Sequence, residues 1–136
     1  MKALICFIMV IMAIPMYGKT FNLQSPNKRL QVAVVSGEAL TWSILHDSKE
    51  VMHQSQIDIN NAYQGKASAS AVKNHKISFA TPFYRQKSVT TEYNELTLSL
   101  GKGWSVMFRA FDAGVADRFQ CKGKVPATIS DEKAAF

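Results

Sequence analysis

Residues 93–119, YNELTLSLGKGWSVMFRAFDAGVADRF, carry the pattern on which the fold turns. Leu96, Leu98 and Leu100 alternate with Thr97 and Ser99, the period of two that sets one strand face against a core and the other in water. Gly101-Lys102-Gly103 interrupts the run with a tight turn, and WSVMFRAF resumes it over 104–111. Asp112-Ala113-Gly114 reads as a second turn, in which Asp112 accepts from the backbone ahead and Gly114 supplies a positive φ. VADRFQ is then a third strand, with Asp117 beside Arg118 as a solvent-facing charge. Phe108, Phe111 and Phe119 read as packing residues, and Arg109 and Arg118 as structural ion-pair or surface groups.

The same grammar extends toward the N-terminus. LQVAVV (30–35) puts Leu30, Val32 and Val34 on one face, and LTWSIL (40–45) does so with Leu40, Trp42 and Ile44. His46-Asp47-Ser48-Lys49 is a hairpin loop into Glu50-Val51-Met52, and SQIDIN alternates through Ile57 and Ile59. Residues 60–76, NNAYQGKASASAVKNHK, are small and polar and read as a long loop whose end runs into the next strand. Pro82 splits the β-rich run 77–100 into at least two strands, because proline cannot serve a ladder interior. A last strand is expected around ATIS (127–130). No amphipathic helix and no internal repeat is visible, so the chain is all-β, an antiparallel β-sandwich or part of one.

The chain is 136 residues with a formal net charge of +6. Its opening, MKALICFIMVIMAIPMYGKT, has the layout of a secretory signal peptide: Lys2, an apolar run from Ala3 to Met16, and Gly18 as a cleavage point. The run is too short to span a bilayer. Residues 1–18 are therefore expected to be removed, leaving 21–136 as the folded, exported part, periplasmic or extracellular, with no membrane attachment. No cysteine stands at the cleavage point to take a lipid. Cys6 leaves with the signal, so Cys121 has no internal disulfide partner.

Most classes of chemistry find no footing. The lysines (28, 49, 66, 73, 76, 87, 102, 122, 124, 133) are dispersed, whereas nucleic-acid binding needs a basic stripe. His46, His53 and His75 lack metal-ligand spacing. There is no strained nucleophile turn of the Gly-x-Ser-x-Gly kind and no phosphate-cradling loop. Asp112, Asp117, Asp131 and Glu132 are the carboxylates from which an acid–base pair would be drawn, with turn and surface roles as the plainer reading. Among the aromatics (Trp42, Tyr63, Phe83, Tyr84, Tyr93, Trp104, Phe108, Phe111, Phe119), most alternate into a core. Only Tyr63, Phe83 and Tyr84 stand on or near loops where a sugar ring could stack. No catalytic, cofactor-binding or metal-binding residue is assigned.

SPNKRLQVAV (25–34), YNELTLSL (93–100) and VMFRAFDAGVADRF (106–119) occur in the order found in glycoside hydrolase family 97, and the chain resembles that family's N-terminal domain over nearly all of 21–136. ISDEKAAF (129–136) is similar to that domain's next strand-and-turn segment. The resemblance implies a partial β-super-sandwich that precedes a catalytic (β/α)-barrel in exported exo-α-glucosidases and α-galactosidases. It implies calcium for the full-length enzyme, with acid, base and calcium ligands outside this segment. The expected role is thus the non-catalytic leading part of an α-glycoside hydrolase, inactive alone, whose partners are the missing barrel and an α-linked oligosaccharide. Half a sandwich also implies uncovered edges and self-association. The alternative is a free-standing exported β-sandwich that binds glycans or proteins. Asp117 departs from the family pattern, which has an aromatic or small residue there, and QCKGKVP (120–126) replaces an acidic-aromatic-proline run.

Overall fold

The computed structural model describes residues 18–82, 85, 87–123 and 128–134. The signal-like residues 1–17 lie outside this set, as do Phe83 and Tyr84. Every regular element is a strand: β1 (Lys19–Gln24), β2 (Leu30–Ser36), β3 (Leu40–His46), β4 (Lys49–Ile59), β5 (Ser68–Ala69), β6 (Lys73–Ala80), β7 (Ser88–Gly101), β8 (Trp104–Phe111), β9 (Gly114–Cys121) and β10 (Glu132–Ala134). They form two antiparallel sheets. The first runs β1-β2-β3-β4-β10; in the second, β7 takes β5 and β6 along one side and β8 then β9 on the other.

Short turns set the registers. Between β3 and β4, Asp47 and Ser48 both hold positive φ (48° and 66°), the two-residue hairpin geometry whose twist matches that of the strands. Gly101, Lys102 and Gly103 take φ of 96°, 52° and 82° between β7 and β8. Gly103 is required there for a second reason: a Cβ would sit 2.8 Å from the Lys122 carbonyl. Alternation then decides what is buried. Leu23, Val32, Val34, Leu40 and Trp42 of the first sheet face Leu96, Leu98, Val106 and Phe108 of the second, all at most 5% exposed. β1 lies over β7 and β2 over β8. Trp42 meets Phe108 with ring centroids 5.4 Å apart.

The antiparallel β-sandwich expected from the pattern is thus the fold, and four local readings change. The 60–76 loop, whose end runs into β6 as expected, also contains β5, because an edge strand tolerates small polar residues that a central strand would not. Glu50–Met52 and SQIDIN are one strand, β4, whose pairing with β3 shifts register near Ile44. Thr128–Ser130 are not a strand; the last strand is Glu132–Ala134, which pairs with Ile57–Ile59. Asn60 fixes that pairing: its amide oxygen accepts from the Ser130 and Asp131 N–H groups, and its own N–H donates to the Asp131 carbonyl. Gly114, finally, is not a positive-φ residue. The turn is Asp112-Ala113, Gly114 already pairs with Phe111, and the Asp112 carboxylate accepts from the distant Asn27 N–H at 2.9 Å.

Candidate functional site on the outer face of the second sheet

The residues singled out by chemistry scatter over the sandwich. His46 stands 3.6 Å from Asp47, His53 hydrogen-bonds Glu50 at 2.9 Å, and His75 lies in the other sheet. Among the described residues, no three His, Cys, Asp or Glu side chains come together as a metal site would require. The donor set for calcium is not met there. Cys121 is a free, exposed thiol. Tyr63 is buried at 9% exposure; its hydroxyl hydrogen-bonds Ser36 Oγ and donates to the Gly37 carbonyl, both at 2.7 Å. It ties the β4 exit to the β2–β3 turn and offers no ring to a sugar.

Of the four carboxylates, two are brought near one another. Asp117 pairs with Phe108 across the β8–β9 ladder, so it shares the core-directed face with Val115 and Phe119. Asp117 is nonetheless exposed to solvent, as the sequence reading has it, on the edge strand β9. Glu132 pairs with the buried Ile59 and so takes the inner face of β10. Partial burial pushes the Asp117 carboxyl above its ordinary value, and the Glu132 charge adds to the shift. The hollow beside Asp117, about 160 Å³, is lined by Met107, Arg109, Ala116 and Arg118, without Glu132. That hollow opens on the outer face with Met107 and Arg109, the opposite face from the Asp117–Glu132 pair.

The dense polar constellation is instead on the solvent side of the second sheet. Tyr93, Glu95, Thr97 and Ser99 of β7 pair with Phe111, Arg109, Met107 and Ser105 of β8, one face of the ladder. Arg109 Nε donates to Glu95 Oε2 at 2.9 Å, and its guanidinium lies 4.8 Å from the Tyr93 ring centre. His75 stacks on Tyr93 at 5.0 Å, and Phe111 packs against it at 4.9 Å. Tyr93 is only 4% exposed although no opposing sheet covers this face. The ion pair, the cation–π contact and the ring stack bury it from the side. His75 Nε2 is buried without a hydrogen-bond partner, 3.8 Å from Glu95. Next to this cluster runs a groove of about 380 Å³, lined by Lys73, Glu95, Thr97, Ser99, Trp104 and Gln120 among others. Hydroxyls, an amide and a lysine surround this hollow, while Trp104, on the parity of Val106 and Phe108, packs against the core. Arg109 as an ion-pair residue agrees with the sequence reading. The Tyr93 cluster was not anticipated, though the pairing of Glu95 opposite Arg109 on the polar parity of two strands carried its trace.

The family described as Glycosyl-hydrolase 97 N-terminal matches residues 23–136. The retaining alpha-galactosidase of Bacteroides thetaiotaomicron is 33% identical over 124 residues, 87% of this chain and 19% of that protein. A glycoside hydrolase family 97 enzyme from Pseudoalteromonas sp. strain K8, solved in complex with panose, shares the fold at a TM-score of 0.64 and 20% identity, over 84% of this chain and 20% of that one. The acarbose complex from the same source matches with the same figures. The chain thus spans about a fifth of the length of these relatives.

Proposed function

Because the chain belongs to the glycosyl-hydrolase 97 N-terminal family, we propose that it serves as the non-catalytic leading β-sandwich of an exported α-glycoside hydrolase, working with a catalytic barrel outside these residues. The observation that carries this reading is the match of 23–136 to the leading domain alone, in relatives five times as long. The dispersal of carboxylates and histidines over two sheets supports it, since acid–base chemistry on a glycoside needs two carboxyl groups across a cleft.

On this reading the barrel supplies acid, base and calcium ligands, and the sandwich supplies a rigid wall. Export rests on the signal-like opening residues; among the described residues, no helix is long and apolar enough to cross a membrane. Copies of the chain associate through uncovered sheet edges. The test is direct: the purified chain, with calcium and an aryl α-galactoside or α-glucoside, releases no aryl alcohol above a boiled control. Turnover above that control overturns the assignment.

A second reading, glycan binding by the sandwich itself, is favoured by the outer-face groove and by relatives solved with panose and acarbose. Trp104, which borders that groove and packs against the core beneath it, is the nearby reporter. Titration with panose should quench or shift tryptophan fluorescence saturably, and a flat response at millimolar sugar removes this reading.

A further inference from the structure

We propose that two copies of the chain pair antiparallel through the free edge of β6, joining their second sheets into one continuous sheet. The inference rests on the self-association advanced above and gives it a place. Among the described residues β6 pairs only with β7, so its other side presents unpaired backbone groups. The Thr81 N–H donates to the Lys87 carbonyl, in register with the β6–β7 ladder. Hydrogen-bonded and non-hydrogen-bonded pairs alternate along an antiparallel ladder. The odd residues of β6 therefore bond to β7, and Asn74, Lys76, Ser78 and Ala80 point their N–H and C=O groups at the open edge.

The side chains select a register. Ile77 and Phe79, 45% and 50% exposed, lie on the same outer face of β6 as His75. Pairing two copies about Ser78 puts Ile77 of each opposite Phe79 of the other. Both are non-hydrogen-bonded pairs, the kind that brings side chains closest. Lys76 then lies opposite the uncharged Ala80, and in its own chain it already faces Glu92 across the ladder. No like charges meet in this register. The other edges differ: β1, β9 and β10 carry Lys19, Asp117 and Glu132 on their core-directed faces, charges that discourage edge pairing, and β5 has only 2 residues, whereas the corresponding charge of β6, Lys76, already faces Glu92. A two-fold contact of this kind is self-closing and stops at the dimer. Its small size makes it weak, and the flanking Lys73, Arg85 and Lys87 make it stronger as salt screens them.

Sedimentation velocity on the purified chain from about 10 to 300 µM, a range suited to a small transient interface, tests the proposal. The expected result is a mass that rises toward the dimer with concentration and rises further in high salt. Ser78→Pro removes the N–H that faces the open edge and the exposed Ser78 Oγ–Thr90 Oγ1 contact, but none of the backbone bonds that the odd residues make to β7; this variant should stay monomeric with an unchanged circular dichroism spectrum. If it fails to fold, the double variant Ile77→Lys/Phe79→Lys decides in its place, because both positions are solvent-exposed. A parent chain that is monomeric throughout overturns self-association and its placement together. A parent and a folded variant that dimerise alike overturn the β6 placement alone.

Discussion

Asp117 lies directly opposite Phe108 across the β8–β9 ladder, a carboxylate on the same sheet face as a ring that is 0% exposed. The apolar alternation of β9 is broken at its midpoint, and the break falls where the sheet runs out of neighbours. An inward charge on an edge strand weakens the sandwich locally while discouraging another strand from adding there.

That placement has a pH signature. The folded-state value of Asp117 is raised, so the group is harder to ionise in the folded chain than in the unfolded one. With Asp117 protonated in both states there is no penalty. As pH rises from below the ordinary value of 3.8 through the raised one, the unfolded state ionises first and stability falls. Denaturant midpoints of the parent and of Asp117→Asn between pH 3 and 7 should diverge, with the parent losing ground as pH increases. Parallel curves contradict the placement.

Asp117→Val should restore the alternation of Val115 and Phe119. The gain is at most about 1 kcal/mol, the span of strand preferences at an edge. It appears as a rise of a few degrees in melting temperature. A lower melting temperature for this variant shows that the inner face of β9 does not accept an apolar side chain.

Phe108→Ala should cost about 3–5 kcal/mol, because the ring packs against Trp42 and its removal leaves a cavity between the sheets. Loss of the cooperative thermal transition, together with loss of the near-ultraviolet signal of Trp42, is the expected outcome.

On the outer face, Arg109→Met should destabilise more than the double change Arg109→Met/Glu95→Leu. The single variant leaves the Glu95 side chain, 13% exposed, without its cation. The expected single cost is about 1.5–3 kcal/mol, the range for hydrogen bonds to charged groups. A double-mutant cycle from urea unfolding reads the coupling, and strictly additive costs would falsify the idea that Tyr93 is buried by a paired cluster.

Tyr63→Phe should lose about 1 kcal/mol, since two hydroxyl contacts to Ser36 and Gly37 disappear while the ring stays packed. Panose titrations of this variant should match those of the parent.

The strands that bury one clean face were legible in the sequence: Leu96-Leu98-Leu100, Val32-Val34 and WSVMFRAF stand where alternation places them. β5 and β10 were not, because edge strands are held by a partner's backbone rather than by their own apolar pattern. Ser68 and Ala69 give no period, and β10 depends on Asn60, some seventy residues away. Asp117 is exposed, as its charge suggests, yet stands on the core-directed parity of β9. Its parity agrees with Val115 and Phe119, and only the β8 register shows that this is the core side. The Tyr93 cluster was missed because it joins residues of three strands whose alignment is a tertiary fact. The family strings carried more than any local pattern, since they encode that alignment.

The central claim is that residues 23–136 are the supporting sandwich of a family 97 enzyme. It is tested most directly by a chimera in which they replace the matching segment of the Bacteroides thetaiotaomicron retaining alpha-galactosidase. Hydrolysis of an aryl α-galactoside by the purified chimera is the measurement. The account predicts turnover within about tenfold of the parent enzyme, a loss of about 1.4 kcal/mol or less in transition-state stabilisation. A folded chimera with no turnover would contradict it.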